Sequence, residues 1–218
     1  MNTQTVITIF LASALLFGLA VLMSQDDGAH ILWNRQGYAP EQPIAFSHRL
    51  HAGELQVDCR YCHFGAETSR HAGFPAASVC MNCHRFINAP LGAIRAEDEL
   101  ATSEGRAPQR VVSEEIQKIY DALALGADLT RDEARELDPI EWIKIHRSPD
   151  YVYFDHRPHV AAGVECQRCH GAVESMERVR QAESLSMGWC VNCHRQVNET
   201  GVAGRAVSAS LDCSVCHY

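Results

Sequence analysis

One pentapeptide pattern, C-x-x-C-H, occurs five times in this chain of 218 residues and constrains it more than any other feature. The copies are Cys59-Arg60-Tyr61-Cys62-His63, Cys80-Met81-Asn82-Cys83-His84, Cys166-Gln167-Arg168-Cys169-His170, Cys190-Val191-Asn192-Cys193-His194 and Cys213-Ser214-Val215-Cys216-His217. All ten cysteines fall inside them. On one helical turn, cysteines at i and i+3 share a face and can form thioethers to the two vinyl groups of a haem. The histidine that follows then lies under the iron as an axial ligand. At this composition, chance gives such a pentapeptide about 0.03 times per chain, so five copies are no accident. The competing use of these cysteines is zinc or disulfides. A zinc ribbon takes two C-x-x-C pairs per ion, which suits neither five pairs nor a histidine trailing each of them. The reading is five covalently bound haem c groups.

Haem attachment on that scale dictates the fold class. Beyond the N-terminus, about 39 residues remain per haem, too few to give each porphyrin its own domain. The expected fold is a multihaem cytochrome c: short α-helices at the attachment sites, irregular chain wrapped around five closely packed haems, little β-structure, and one N-terminal transmembrane helix. The formal charge of -8 becomes more negative with ionised propionates, which suits a basic redox partner and argues against nucleic acid.

The apolar run from Val6 to Met23 contains no charged residue. It meets the lower limit for a membrane span and would also serve as a signal-peptide core. The polar Ser24-Gln25-Asp26-Asp27 that follows is a poor cleavage site, so residues 1–24 are expected to stay as an anchor. The segment before the run lacks Lys and Arg, so the positive-inside rule gives no orientation. Attachment of haem outside the cytoplasm places the C-terminal bulk there.

An extended link is expected over residues 25–45, where Pro40 and Pro43 break any helix. Then the chain repeats itself. Phe46-Ser47-His48-Arg49-Leu50-His51 leads into the motifs at Cys59 and Cys80, and Phe154-Asp155-His156-Arg157-Pro158-His159 leads into those at Cys166 and Cys190. Both units read F-x-H-x-x-H, C-x-x-C-H, then C-x-N-C-H-R, so residues 46–95 and 151–197 form two copies of a two-haem module. Residues 198–218 carry the fifth motif.

Between the modules, residues 96–150 read as a helical insertion. Ser113-Glu114-Glu115 opens a run with Ile116, Ile119 and Leu123 at helical spacing, Gly126 is expected to end it, and Thr130-Arg131-Asp132-Glu133 resembles a second helix start. The insertion is either a docking surface for a partner subunit or a solvated element packed on the haem core.

Low-spin haems need a sixth ligand, usually His or Met. After the five motif histidines (His63, His84, His170, His194, His217), seven histidines remain. His48 and His51, and their counterparts His156 and His159, are the distal candidates, because an i, i+3 pair on a helical face can serve two adjacent irons. For the fifth position the candidate is His146, with Met176 or Met187 as alternatives. His30 and His71 are left without a role.

The paired layout resembles the small multihaem cytochromes of the class III type. The anchor, CRYCH at 59–63, CMNCH at 80–84, the stretch WIKIHRSPDYVYFDHRPHV at 142–160 and MGWCVNCHR at 187–195 are similar to the pentahaem cytochrome subunits of bacterial alternative complex III. That resemblance implies a quinol-oxidising respiratory assembly in the cell inner membrane, with the haem domain on the periplasmic side. It implies integral membrane subunits that oxidise quinol and an iron–sulfur subunit as partners, and a monohaem cytochrome c or terminal oxidase as acceptor.

Three functions compete. An electron-transfer subunit, not catalytic alone, is favoured because the spare histidines and methionines suffice to close every iron. A multihaem nitrite or hydroxylamine enzyme needs an open iron, often marked by lysine in place of the proximal histidine, and no motif here has one. A stand-alone membrane-anchored quinol dehydrogenase or electron carrier is the remaining alternative; a single anchor offers it little room for a quinone pocket.

Overall fold

The computed structural model describes residues 2–23 and 35–217. Residues 25–34 of the expected link, His30 included, lie outside these residues; its described part, 35–45, is irregular chain.

Helix α1 (Thr3–Met23) has 21 residues, about 31 Å at the α-helical rise, which matches a hydrocarbon core of about 30 Å. Asn2 Oδ1 accepts from the Thr5 amide and hydroxyl, satisfying donors in its first turn. Among the described residues this is the one helix long and apolar enough to cross a membrane, and none of that stretch is buried against the rest of the chain.

The rest is short helices and irregular chain. A π-helical segment (Arg49–Glu54) carries His51. The motifs occupy α2 (Cys59–Cys62), α4 (Ala77–His84), α8 (Gln167–His170), α9 (Met187–Thr200) and α10 (Cys213–Cys216), with α3 (Gly65–Thr68) directly after α2. One-turn helices this short need local help. Asp58 and Asp212 supply it, accepting from the Arg60 and Ser214 amides at the starts of α2 and α10. Ser186 caps α9 through the Trp189 amide. Helix α7 (His156–Ala162) begins under the Asp155 cap and ends at Gly163 in the left-handed conformation. No strand forms among the described residues, only isolated bridges such as Val152 with His217.

The insertion holds α5 (Leu91–Glu104) and α6 (Glu114–Ala122). Pro90 opens α5 and Gly105, at φ +66°, closes it, a proline-to-glycine pattern legible in the sequence. Helix α6 begins as expected on the Ser113 cap but stops at Ala122, before Gly126, because Ala124 turns left-handed at φ +49°. The second helix expected from Thr130 does not form. Asp128 Oδ1 takes the Thr130 amide and hydroxyl, and the Thr130 carbonyl accepts from the Gly126 amide, so the segment closes as a tight turn.

The buried apolar cluster is small: Ile44, Met81, Ile119 and Tyr120, with Val112, Ile116, Leu123, Ile140 and Trp142 around it. It sits where α6 meets α4. The insertion therefore packs on the first module, and the Tyr120 hydroxyl donates to the His84 carbonyl at 2.6 Å.

The two modules meet at Arg70. Its carbonyl accepts from the His156 amide (3.2 Å), its guanidinium donates to the Phe154 carbonyl (2.9 Å), and it lies over the Tyr153 ring. A second seam brings the π-helical segment against the short 3-10 turn Val173–Ser175, where the Arg49 amide donates to the Met176 carbonyl. Gly53 is required there: a β-carbon would come to 2.3 Å from the Glu174 carbonyl oxygen.

Candidate haem sites

No two of the ten cysteines are joined in a disulfide. Among the described residues no group of three or more His, Cys, Asp or Glu side chains is gathered in one place. Large apolar side chains next to the motifs are left exposed, Phe64 at 61%, Phe74 at 55% and Phe86 at 78%. Flat apolar groups lying on the motif helices would cover such surface.

The histidines are arranged in facing pairs. The ring centres of His48 and His63 are 6.5 Å apart, His51 and His84 6.1 Å, His156 and His170 6.3 Å, His159 and His194 6.0 Å. An iron bound by an imidazole nitrogen at about 2 Å on each side separates ring centres by about 6.3 Å. Each pair joins one histidine of an F-x-H-x-x-H segment to one motif histidine, and the spacing fits an iron between them.

Nδ1 hydrogen bonds fix the tautomers. Nδ1 of His51 bonds the Ser47 carbonyl, His63 that of Gly73, His84 that of Ile87, His156 that of Arg70, His159 that of Asp155 and His194 that of Ser210, at 2.7–2.9 Å. A carbonyl only accepts, so each Nδ1 carries the proton and each Nε2 keeps a lone pair for a metal. His48 differs: its Nδ1 is buried with no hydrogen-bond partner among the described residues. Burial first, then the facing His63, pushes His48 down to about 4. Burial, His146 and His156 push His170 down to about 3. Both are therefore neutral at physiological pH, the form that binds metal.

The sequence repeat acquires a physical role for its phenylalanine. Phe46 meets His48 edge-on at 4.8 Å and stacks on His51 at 4.2 Å; Phe154 meets His156 and His159 at 4.9 Å each. One ring props two imidazoles, in both modules. The two segments differ in backbone, however, the first being π-helical and the second α-helical.

His146, the candidate for the fifth position, is placed beside another motif histidine. His146 stands against His170, with Nε2 3.3 Å from the His170 Nδ1 and ring centres 4.4 Å apart. The ring contact of His217 is with Tyr151, at 5.9 Å. Met176 is buried behind the seam between the modules and Met187 is exposed at the start of α9. His71 is exposed, its amide donating to Ser69 Oγ. Sequence reasoning gave no role to Arg70 or Tyr151; neither belongs to a motif.

The thiols form a series. Desolvation, followed by the neighbouring thiol, raises the pKa of Cys80 (beside Cys62) and of Cys166 (beside Cys59). The same two causes raise Cys169 to about 11 (beside Cys193) and raise Cys190 (beside Cys216). The motifs therefore neighbour one another in the order 80, 59, 166, 190, 213.

Residues 152–218 match the family described as cytochrome c7 and related cytochrome c. Over 197 residues the chain is 25% identical to the menaquinone reductase, multiheme cytochrome c subunit, of Nitratidesulfovibrio vulgaris, spanning 81% of this chain and 77% of that protein. Both matches are with multihaem cytochromes c, and they support covalently bound haem c in this chain.

Proposed function

We propose that this chain is the pentahaem electron-transfer subunit of a membrane-bound, quinone-linked respiratory complex of the alternative complex III type. The observation that carries the reading is the set of four facing histidine pairs at 6.0–6.5 Å, each ending on a C-x-x-C-H motif. The similarity to a subunit of a menaquinone reductase supports the quinone link.

In this reading the thiols of each motif anchor one haem and the motif histidine is its proximal ligand. His48, His51, His156 and His159 are the distal ligands of the first four. Bound haem would supply one-electron redox chemistry; the polypeptide would attach each group and fix its ligands. The neighbouring thiols support a path through the haems of Cys80, Cys59, Cys166, Cys190 and Cys213. The path therefore doubles back inside the first module and crosses to the second beside Arg70. Residues 1–24 anchor the chain in the inner membrane, and the modules 46–95 and 151–197, with the last haem on 198–218, stand on the periplasmic side. Its partners are integral membrane subunits that oxidise quinol, an iron–sulfur subunit, and a monohaem cytochrome c or terminal oxidase as acceptor.

The test is to solubilise membranes gently, separate them on a native gel, stain for haem and identify the polypeptides in the stained band by mass. A large band with integral membrane subunits and an iron–sulfur protein supports the assignment. A band near the mass of this chain with five haems replaces it with the stand-alone anchored carrier or quinol dehydrogenase.

One observation favours a second reading of direction: the similar protein is by its description a menaquinone reductase. Electrons then run along the same haems toward the quinone. Adding a quinol to the oxidised complex and following haem reduction separates the two, since a quinol oxidised by the complex reduces the haems with no other donor present.

A further inference from the structure

Six candidate iron ligands lock Nδ1 onto a main-chain carbonyl, whereas His170 meets a side chain there, His146 Nε2 at 3.3 Å. With His156 opposite at 6.3 Å and nearly coplanar, the His170 Nε2 is the atom left for the iron, so Nδ1–H donates and His146 Nε2 accepts. His146 is supplied by the irregular segment that ends the insertion, before Pro149 and outside both modules. We propose that His146 is a positioning residue that orients His170 and tunes the haem on Cys166 and Cys169, and is not itself an iron ligand. This rests on the pentahaem reading above.

An imidazole nitrogen is a stronger acceptor than an amide carbonyl. Donation into it pushes electron density through His170 toward the metal and stabilises the ferric form. It also fixes the ring plane, which the seam at Arg70 fixes on the opposite side through His156. The third haem of the path is thus the one whose potential a single side chain outside the modules controls.

The test is a spectroelectrochemical titration of the purified, haem-loaded full chain carrying His146→Leu, with His146→Gln beside it. The expected result is as many low-spin haems in both variants as in the parent chain, one midpoint moved upward in His146→Leu, and a smaller movement in His146→Gln, which keeps an acceptor. Five unmoved midpoints overturn the proposal. Loss of one low-spin haem overturns it as well, because His146 is then a ligand. Should the variants fail to accumulate, the native chain decides. In the reduced, diamagnetic protein labelled with nitrogen-15 histidine, a nitrogen–nitrogen coupling across the hydrogen bond is expected for His170 alone, since six of the other ligands bond to carbonyl oxygen and the His48 Nδ1 has no partner among the described residues. Absence of that coupling overturns the proposal. A haem count below five in the parent chain would instead overturn the pentahaem reading.

Discussion

The imidazole planes of His156 and His170 lie 9° apart, and those of His48 and His63 only 5°. The other two facing pairs are rotated, His51 against His84 by 59° and His159 against His194 by 38°. Parallel imidazoles both overlap the same iron d orbital and split it from its partner, whereas rotated ones leave the two closer in energy. Electron paramagnetic resonance of the oxidised chain should therefore show two haems with ordinary rhombic low-spin signals. Two more should have the single large g value of near-degenerate orbitals. Four identical rhombic signals would contradict the geometry.

Replacing His48 or His156 with alanine should leave one iron five-coordinate in each case. The expected readout is a high-spin signal from one haem of the five and rapid carbon monoxide binding by the reduced form. Unchanged spectra would remove the replaced residue from the ligand set.

Gly53→Ala should disturb the seam between the two modules. The added methyl meets the Glu174 carbonyl at 2.3 Å, and backbone cannot swing aside as a side-chain tip can. Overpacking of this kind costs about 1–3 kcal/mol. Thermal unfolding followed at the haem bands should start lower, with the His51 haem losing its low-spin character before those of the second module.

Tyr120→Phe keeps the ring and removes the donor to the His84 carbonyl, a bond of 2.6 Å in a buried setting. A loss of about 1 kcal/mol is expected, and Arg110 loses a partner with it. Amide exchange should quicken along α6 and α4 while the second module is unaffected.

Glu97 sets an acid limit for the insertion. The Arg106 guanidinium, and next the Gln109 amide, hold its carboxyl down to about 2 against an ordinary 4.5. A depressed carboxyl stabilises the fold above its unfolded pKa, and that stability is lost as pH falls through the folded value. Stability should fall between pH 4.5 and about 2, and Glu97→Gln should flatten that limb while lowering stability at neutral pH. Denaturant midpoints measured across the acid range check both.

Five motifs were legible as attachment sites because thioether chemistry demands a fixed pentapeptide, and the long N-terminal apolar helix was legible because a bilayer demands length. The pairing of four histidines was visible through duplication: the same F-x-H-x-x-H appears twice, and each of its histidines faces a motif histidine. Local rules failed where a tertiary contact or a competing side chain intervened. Thr130 looks like a cap, but Asp128 captures its amide and hydroxyl two residues away. His51 lies on a π-helical turn, wider than its α-helical counterpart on α7, where Gly53 meets Glu174 across the module seam. His146 has the composition of a ligand, and only the fold shows its nitrogen aimed at His170. No pattern around Arg70 announces it, since its work is done by a main-chain carbonyl.

That carbonyl gives the duplication a history. Two modules descended from one would each begin self-sufficient, yet the Arg70 carbonyl in the first now sets the tautomer of His156 in the second. A fragment cut to residues 152–218, the span that matches the cytochrome c7 family, carries His156 without the group that orients it. The second copy thus takes the orientation of one of its histidines from the first.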